Sequence, residues 1–324
     1  MRNRRYGSFV PALAAVTLLA GGLRPASAGP TLAPPYDSQY SLNDLGSVAG
    51  LPTPYGGVVF EAGNPNVLLI GGSANNGGGA IYSVGVTRNA QGHITGFQGA
   101  ATLYATAPYI DGGLAYAPNG DLLYTAYPTN QIGEIKPGST SPDKMVDLNS
   151  LGVTSSVGSL AIVPSGFPGA GSFKIASYNG GGFYSASLTP DGSGTYNISN
   201  VALVSNPGGG PEGIAYVPLG SPLFPSPSLL LAEYGNGTVQ AFTLDSNGNL
   251  TGTGQDFITG LTGAEGAIID PVTGDFVFST FGGSDQVVVV QGFARTVVPE
   301  PAGVTLAAVC LGGLALRSWR RRRA

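Results

Sequence analysis

The phrase Pro211-Glu212-Gly213-Ile214-Ala215-Tyr216-Val217-Pro218 has relatives at four other places, and this recurrence constrains the fold more than any other feature of the chain. They are Gly57-Val58-Val59-Phe60, Gly113-Leu114-Ala115-Tyr116-Ala117-Pro118, Ser159-Leu160-Ala161-Ile162-Val163-Pro164 and Gly266-Ala267-Ile268-Ile269-Asp270-Pro271. A small or acidic residue followed by a short apolar run that ends near proline reads as a buried strand. Successive starts lie 56, 46, 54 and 53 residues apart, the length of a four-stranded unit with its loops.

Each unit continues with a turn and a second apolar strand, as in Pro118-Asn119-Gly120-Asp121-Leu122 and Pro271-Val272-Thr273-Gly274-Asp275-Phe276. A third strand follows, then a polar hairpin and an outer strand. The hairpins over residues 86–96 and 244–252 match by pattern, which sets His93 opposite Asn249 on an exposed turn. The last unit stops after Gln286-Val287-Val288-Val289-Val290, and the N-terminal arm at Tyr40-Ser41-Leu42-Asn43-Asp44 is expected to supply its outer strand and remove a free edge. The expectation is an all-β chain, a β-propeller of five four-stranded blades; six would need a blade that the sequence does not show. The 53 Gly and 25 Pro approach a low-complexity composition, but periodic apolar runs such as Asn66-Val67-Leu68-Leu69-Ile70 supply a core.

The two ends read as addresses. Arg2 to Arg5, the apolar stretch Phe9 to Leu19 and the small-residue site Ala26-Ser27-Ala28 have the order of a secretory signal peptide, with a retained anchor as the alternative. Pro299-Glu300-Pro301, an apolar segment from Ala302 to Leu316 and the basic run ending at Arg323 resemble the PEP-CTERM sorting signal. That resemblance implies recognition by an exosortase at the inner membrane of a Gram-negative bacterium and removal of the tail. About 15 apolar residues are short for a span that needs about 20, so a temporary stop fits better than a permanent transmembrane helix; a plain C-terminal anchor is the alternative. Cys310 lies in this segment and leaves no partner for an intrachain disulfide. The organisation is a signal peptide over 1–28, an arm over 29–56, the propeller over 57–293 and the sorting signal over 294–324.

The phrases around Glu212 and around Glu233-Tyr234-Gly235-Asn236-Gly237 also resemble NHL and gluconolactonase-type propellers. The acids Asp111, Glu212 and Glu265 stand just before or one residue ahead of the signature glycines, where inner strands begin, while the first and third units lack one. Carboxylates from several strands at one mouth of a central channel are what a hard cation such as Ca²⁺ requires. The resemblance implies a metal at that place; the alternative is that the acids hold backbone amides. Asp245-Ser246-Asn247-Gly248-Asn249, with Asp256 beyond, resembles a calcium loop, but Leu250 stands where the sharp turn needs glycine, so a hairpin is expected.

Between Gly29 and Pro299 five cationic residues face 17 carboxylates, a net charge of −12, which excludes nucleic acid as a partner of that region. No nucleophile elbow, zinc cluster or phosphate loop appears, since Gly77-Gly78-Gly79 and Gly180-Gly181-Gly182 precede strand-like residues. The 28 Tyr and Phe residues mostly alternate within strands, as blade packing requires, with sugar-stacking aromatics on a loop face as the alternative. The functional expectation is a non-enzymatic binding or structural module, exported to the cell surface or an exopolysaccharide matrix. The alternative is a divalent-metal-dependent, lactonase-like hydrolase using Asp111, Glu212 and Glu265.

Overall fold

The computed structural model describes residues 29–295 apart from residue 284. The signal peptide with Ala26 and Ala28, the motif Pro299, Glu300 and Pro301, and the expected C-terminal helix lie outside the described residues. Among those described, no helix is long and apolar enough to cross a membrane.

The arm contributes β1 (Thr31–Leu32) and β2 (Ser41–Asp44). The first blade is β3 (Val58–Glu61), β4 (Asn64–Gly72), β5 (Ala80–Arg88) and β6 (Ile94–Thr106). The second is β7 (Ile110–Tyr116), β8 (Leu122–Ala126), β9 (Gln131–Ile135) and β10 (Lys144–Asp147). The third is β11 (Val157–Ile162), β12 (Phe173–Ser177), β13 (Phe183–Pro190) and β14 (Tyr196–Ser205). The fourth is β15 (Pro211–Tyr216), β16 (Ser228–Glu233), β17 (Thr238–Leu244) and β18 (Leu250–Thr259). The fifth is β19 (Ala264–Ile269), β20 (Phe276–Thr280) and β21 (Val287–Gln291).

In every blade the signature strand is innermost and neighbours pair antiparallel in chain order, so the five-bladed expectation holds. The arm behaves as expected in one respect and differs in another. Ser41–Asp44 pairs with Val288–Gln291 and gives the last blade its fourth strand, which closes the ring. Thr31 and Leu32 pair with Thr259 and Ile258, so β1 also adds a fifth strand to the fourth blade. Among the described residues, the strands of all five sheets lie between Thr31 and Gln291.

The core consists of five apolar layers, one between each pair of adjacent blades. Both faces of a blade are covered, and a strand buried on both faces reads as a continuous apolar run. In β21, Val287 and Val289 pack toward the first blade, while Val288 and Val290 pack toward the fourth. The aromatic residues serve these layers and also pin the arm. Tyr36 and Tyr40 meet Phe257 with ring centroids 4.9 and 5.4 Å apart, and Phe293 closes on Tyr40 at 4.6 Å.

Polar clamps hold the blades at their rims. Arg88 of the first blade makes a bidentate pair with the buried Asp270 of the fifth, at 2.6 and 3.0 Å. Lys174, fully buried in the third blade, reaches Asn249 Oδ1 at 2.6 Å in the fourth. His93 corrects the expectation of an exposed turn: its Nδ1 lies 2.6 Å from Oδ2 of the buried Asp275, so this hairpin is clamped onto the neighbouring blade. The pattern match between His93 and Asn249 is sound, since both residues make the same kind of interblade contact. Arg88→Ala leaves Asp270 buried without its cation and should cost about 3 kcal/mol, read as a lower urea midpoint at unchanged slope. A loss below about 1 kcal/mol would mean that Val272 N–H and the Thr273 hydroxyl, which also donate to Asp270, are sufficient.

Candidate metal centre

Four of the five inner strands begin with a register shift against their second strand. Pro211 pairs with Glu233 and Gly213 with Ala232, which leaves Glu212 as an extra residue. The same irregularity spans Asp111 to Gly113, Gly158, and Glu265 with Gly266. A bulge of this kind bends a strand and re-aims the extra side chain. On the face where inner strands begin, called here the upper face, the bulges deliver the carboxylates of Asp111, Glu212 and Glu265 to the axis. One ligand-capable oxygen from each lies within 4.8 Å of the other two.

Space for this convergence comes from glycine. A Cβ on Gly158 would stand 2.6 Å from Glu212 Oε2 and 2.3 Å from Pro211 O. One on Gly112 would stand 2.2 Å from Glu212 O and 2.8 Å from the same Oε2. The third blade has Gly158 at its bulge in place of an acid, and the Glu212 side chain lies over it.

The three carboxyl groups are 1 to 3% exposed. No Lys, Arg or His forms an ion pair with any of them among the described residues. No protein N–H or O–H reaches Asp111 Oδ2, Glu212 Oε2 or Glu265 Oε1. Burial, which penalises the charged form, raises Asp111 to about 7 against opposing contacts from Glu265, then Asn75 and Glu212. Burial and then the neighbouring acids push Glu212 and Glu265 well above the usual carboxylate range. Such a cluster must take up protons or a cation. Calcium takes oxygen ligands at about 2.3–2.6 Å, so opposite ligands stand about 5 Å apart, and oxygens within 4.8 Å of one another fit a common ion. With carboxylates and no His or Cys, the donor set suits a hard cation.

Several neighbours were not singled out in the sequence. Asn75, in the left-handed region at φ 62°, donates its backbone N–H to Ile110 O beside Asp111, and its Oδ1 has no partner. It belongs to the first blade, which carries Gly56 where three of the other blades carry an acid. The Asp285 carboxylate accepts the N–H groups of Tyr55 and Gly282, and its field reaches Glu265. Tyr127, Tyr178, Tyr234 and Phe281, each directly following a second strand, form an arc of half-buried rings with successive centroids 5.8, 5.7 and 5.8 Å apart at 73 to 90°. Burial and then the charge of the acids raise the Tyr178 and Tyr234 hydroxyls, so the arc stands beside the cluster. Ser73 holds the equivalent position in the first blade and leaves the arc open there.

The remaining candidates lie elsewhere. Asp245 accepts the N–H groups of Asn247 and Asn249 at 2.8 and 2.9 Å, and Asp256 accepts from Gln240, so that segment is a hairpin turn. His93 is at the lower face, where inner strands finish.

No protein-family model matches the chain, and no curated protein matches it. Among solved structures it is similar to a protein described as a 6-phosphogluconolactonase from Bacteroides uniformis, at 14% identity over 78% of this chain and 75% of that one, TM-score 0.42. It is also similar to a PQQ-bound aldose sugar dehydrogenase from Streptomyces coelicolor, at 14% identity over 76% and 83%, TM-score 0.40. A third is a catalytically inactive virginiamycin B lyase from Staphylococcus aureus, at 16% identity over 80% and 75%, TM-score 0.39.

Proposed function

We propose that the chain is an exported β-propeller that takes a hard divalent cation, Ca²⁺ by its donor set, between Asp111, Glu212 and Glu265, and that it hydrolyses an ester or lactone at the upper mouth of the channel. The observation that carries this reading is the convergence of three buried carboxylates with no cationic side chain to balance them. When bound, the cation polarises a carbonyl oxygen and makes water more acidic. The chain's own residues do the rest. Glu212 reaches across two blades, Asn75 adds an amide oxygen, and the Tyr178 and Tyr234 hydroxyls stay protonated as hydrogen-bond donors to a substrate oxygen. The aromatic arc stands beside the cluster and carries one ring from each of four blades. With no histidine at this face, the proton acceptor is a carboxylate, and Asp285 borders the cluster without being one of its three members.

Elemental analysis of the protein spanning residues 29–295 should find about one calcium per chain, lost in Glu212→Gln, together with a calcium-dependent hydrolysis of simple lactones that chelator abolishes. Absence of any bound divalent cation overturns the reading. Calcium without hydrolysis leaves the second reading, a non-enzymatic module pinned by the ion, which the remote position of His93 favours.

The sequence of the two ends supports export, sorting by an exosortase and a destination at the cell surface or in an exopolysaccharide matrix. Replacing Glu300 or deleting residues 320–323 should leave an uncleaved, membrane-held form, detected as a larger mature mass. An unchanged mass and location would remove the sorting proposal.

A further inference from the structure

The channel is plugged by the carboxylates near the upper face, and below them it widens. Leu114, Leu160, Ile162, Ile214, Tyr216 and Ile268 wall a cavity of about 710 Å³ that reaches the lower face past Ser165 and Leu219. Protein interiors leave few voids larger than a water molecule, and a space of this size falls within the range of small-molecule sites, about 300–1,000 Å³. Ile162, Ile268 and Ile269 retain partial exposure although they belong to innermost strands, because nothing packs against them on the channel side. Apolar walls of this kind hold water poorly and favour an apolar occupant.

The mouth adds a charge. Arg295 is the one charged side chain in the cavity lining among the described residues. It donates to Gln91 O at 3.1 Å and forms no ion pair among those residues. The carboxylates of the adjoining turn, Asp270 and Asp275, are already held by Arg88 and His93. A region with a net charge of −12 thus presents a positive group at the rim of an apolar cavity.

We propose that this cavity is a second ligand site, distinct from the carboxylate cluster, which takes a single-chain aliphatic carboxylate with the chain against the inner strands and the carboxylate on Arg295. The arginine can meet a carboxylate in bidentate fashion, and the chain replaces poorly held water.

Calorimetric titration of the protein spanning 29–295 with hexanoate, octanoate and decanoate tests the assignment. One-to-one binding is expected, tightening about fourfold per added methylene. Arg295→Ala, at an exposed position, should weaken decanoate about tenfold or more and leave decanol unchanged. Ser165→Trp, in the exposed rim loop, should weaken both. Glu212→Gln and chelator should alter neither, so failure of the cation reading leaves this one standing. No binding, an affinity that does not rise with chain length, or decanoate binding equal in Arg295→Ala overturns the proposal. So does loss of binding when residues 296–324 are present, because the chain's own tail would then be the occupant.

Discussion

In chelator, the melting temperature should fall by about 10 °C between pH 4.5 and 7.5, and calcium should restore most of the loss at the upper end. In the unfolded chain Asp and Glu titrate near 4, whereas burial in the fold raises Asp111 to about 7 and moves Glu212 and Glu265 in the same direction. Across that window the folded chain keeps protons that the unfolded chain has released, so stability is greatest at the acid end and declines as pH rises. One proton held over three pH units corresponds to about 4 kcal/mol. Glu134, Glu233 and Asp275, also raised by burial, act with the same sign. Asp191 and Asp245, held below the usual range, act in the opposite sense and only below about pH 4. A cation that binds only the folded form at a hundred times its dissociation constant returns about 2.7 kcal/mol. Glu212→Gln with Glu265→Gln should flatten the pH slope and raise the melting point in chelator at pH 7.5. A melting temperature that rises with pH in chelator would show that these carboxylates are charged and already compensated.

The sequence carried the blades because one physical demand repeats in it. An inner strand needs small residues where it crowds its neighbours and an apolar run where two layers cover it, and both demands leave a local mark at even spacing. The acids were legible for the same reason, since Asp111, Glu212 and Glu265 each fall beside that mark. The aromatic arc was not. Tyr127, Tyr178, Tyr234 and Phe281 occupy one structural position, yet they stand 14, 19, 21 and 15 residues after their signature starts. The hairpin between first and second strands is short in the second blade and long in the fourth, where residues 217–227 cover the arm. The clamp on His93 was hidden differently. A hairpin pattern tells which residue stands at the turn, but the carboxylate it meets is 182 positions away and is set by how blades close. Thr31–Leu32 is too short to show any period, and only its edge position gives it a partner.

Gly158→Ala should be among the most damaging single-methyl additions in the chain, costing about 3 kcal/mol and about 6 °C in melting temperature. The added Cβ meets Pro211 O at 2.3 Å, Glu212 Oε2 at 2.6 Å and Glu212 Cδ at 2.8 Å, and the first of these is backbone that cannot swing aside. Gly78→Ala is the matched control, since no atom lies within 4 Å of its Cβ, and its effect should stay within about 0.5 kcal/mol. Two consequences of Gly158→Ala can be separated. Displacement of the fourth blade's bulge lowers stability with or without a cation, whereas displacement of the Glu212 carboxylate weakens calcium binding by about tenfold or more. In a Glu212→Ala background the side-chain clash is gone and the backbone clash remains, so the two substitutions should couple by about 1 kcal/mol. If Gly158→Ala melts and binds calcium as the unaltered chain does, the Glu212 side chain does not lie across the third blade, and the three carboxylates do not share one site. Bulge, glycine and carboxylate are thus a single device: the bulge aims the acid, and the missing methyl on the next blade gives it somewhere to go.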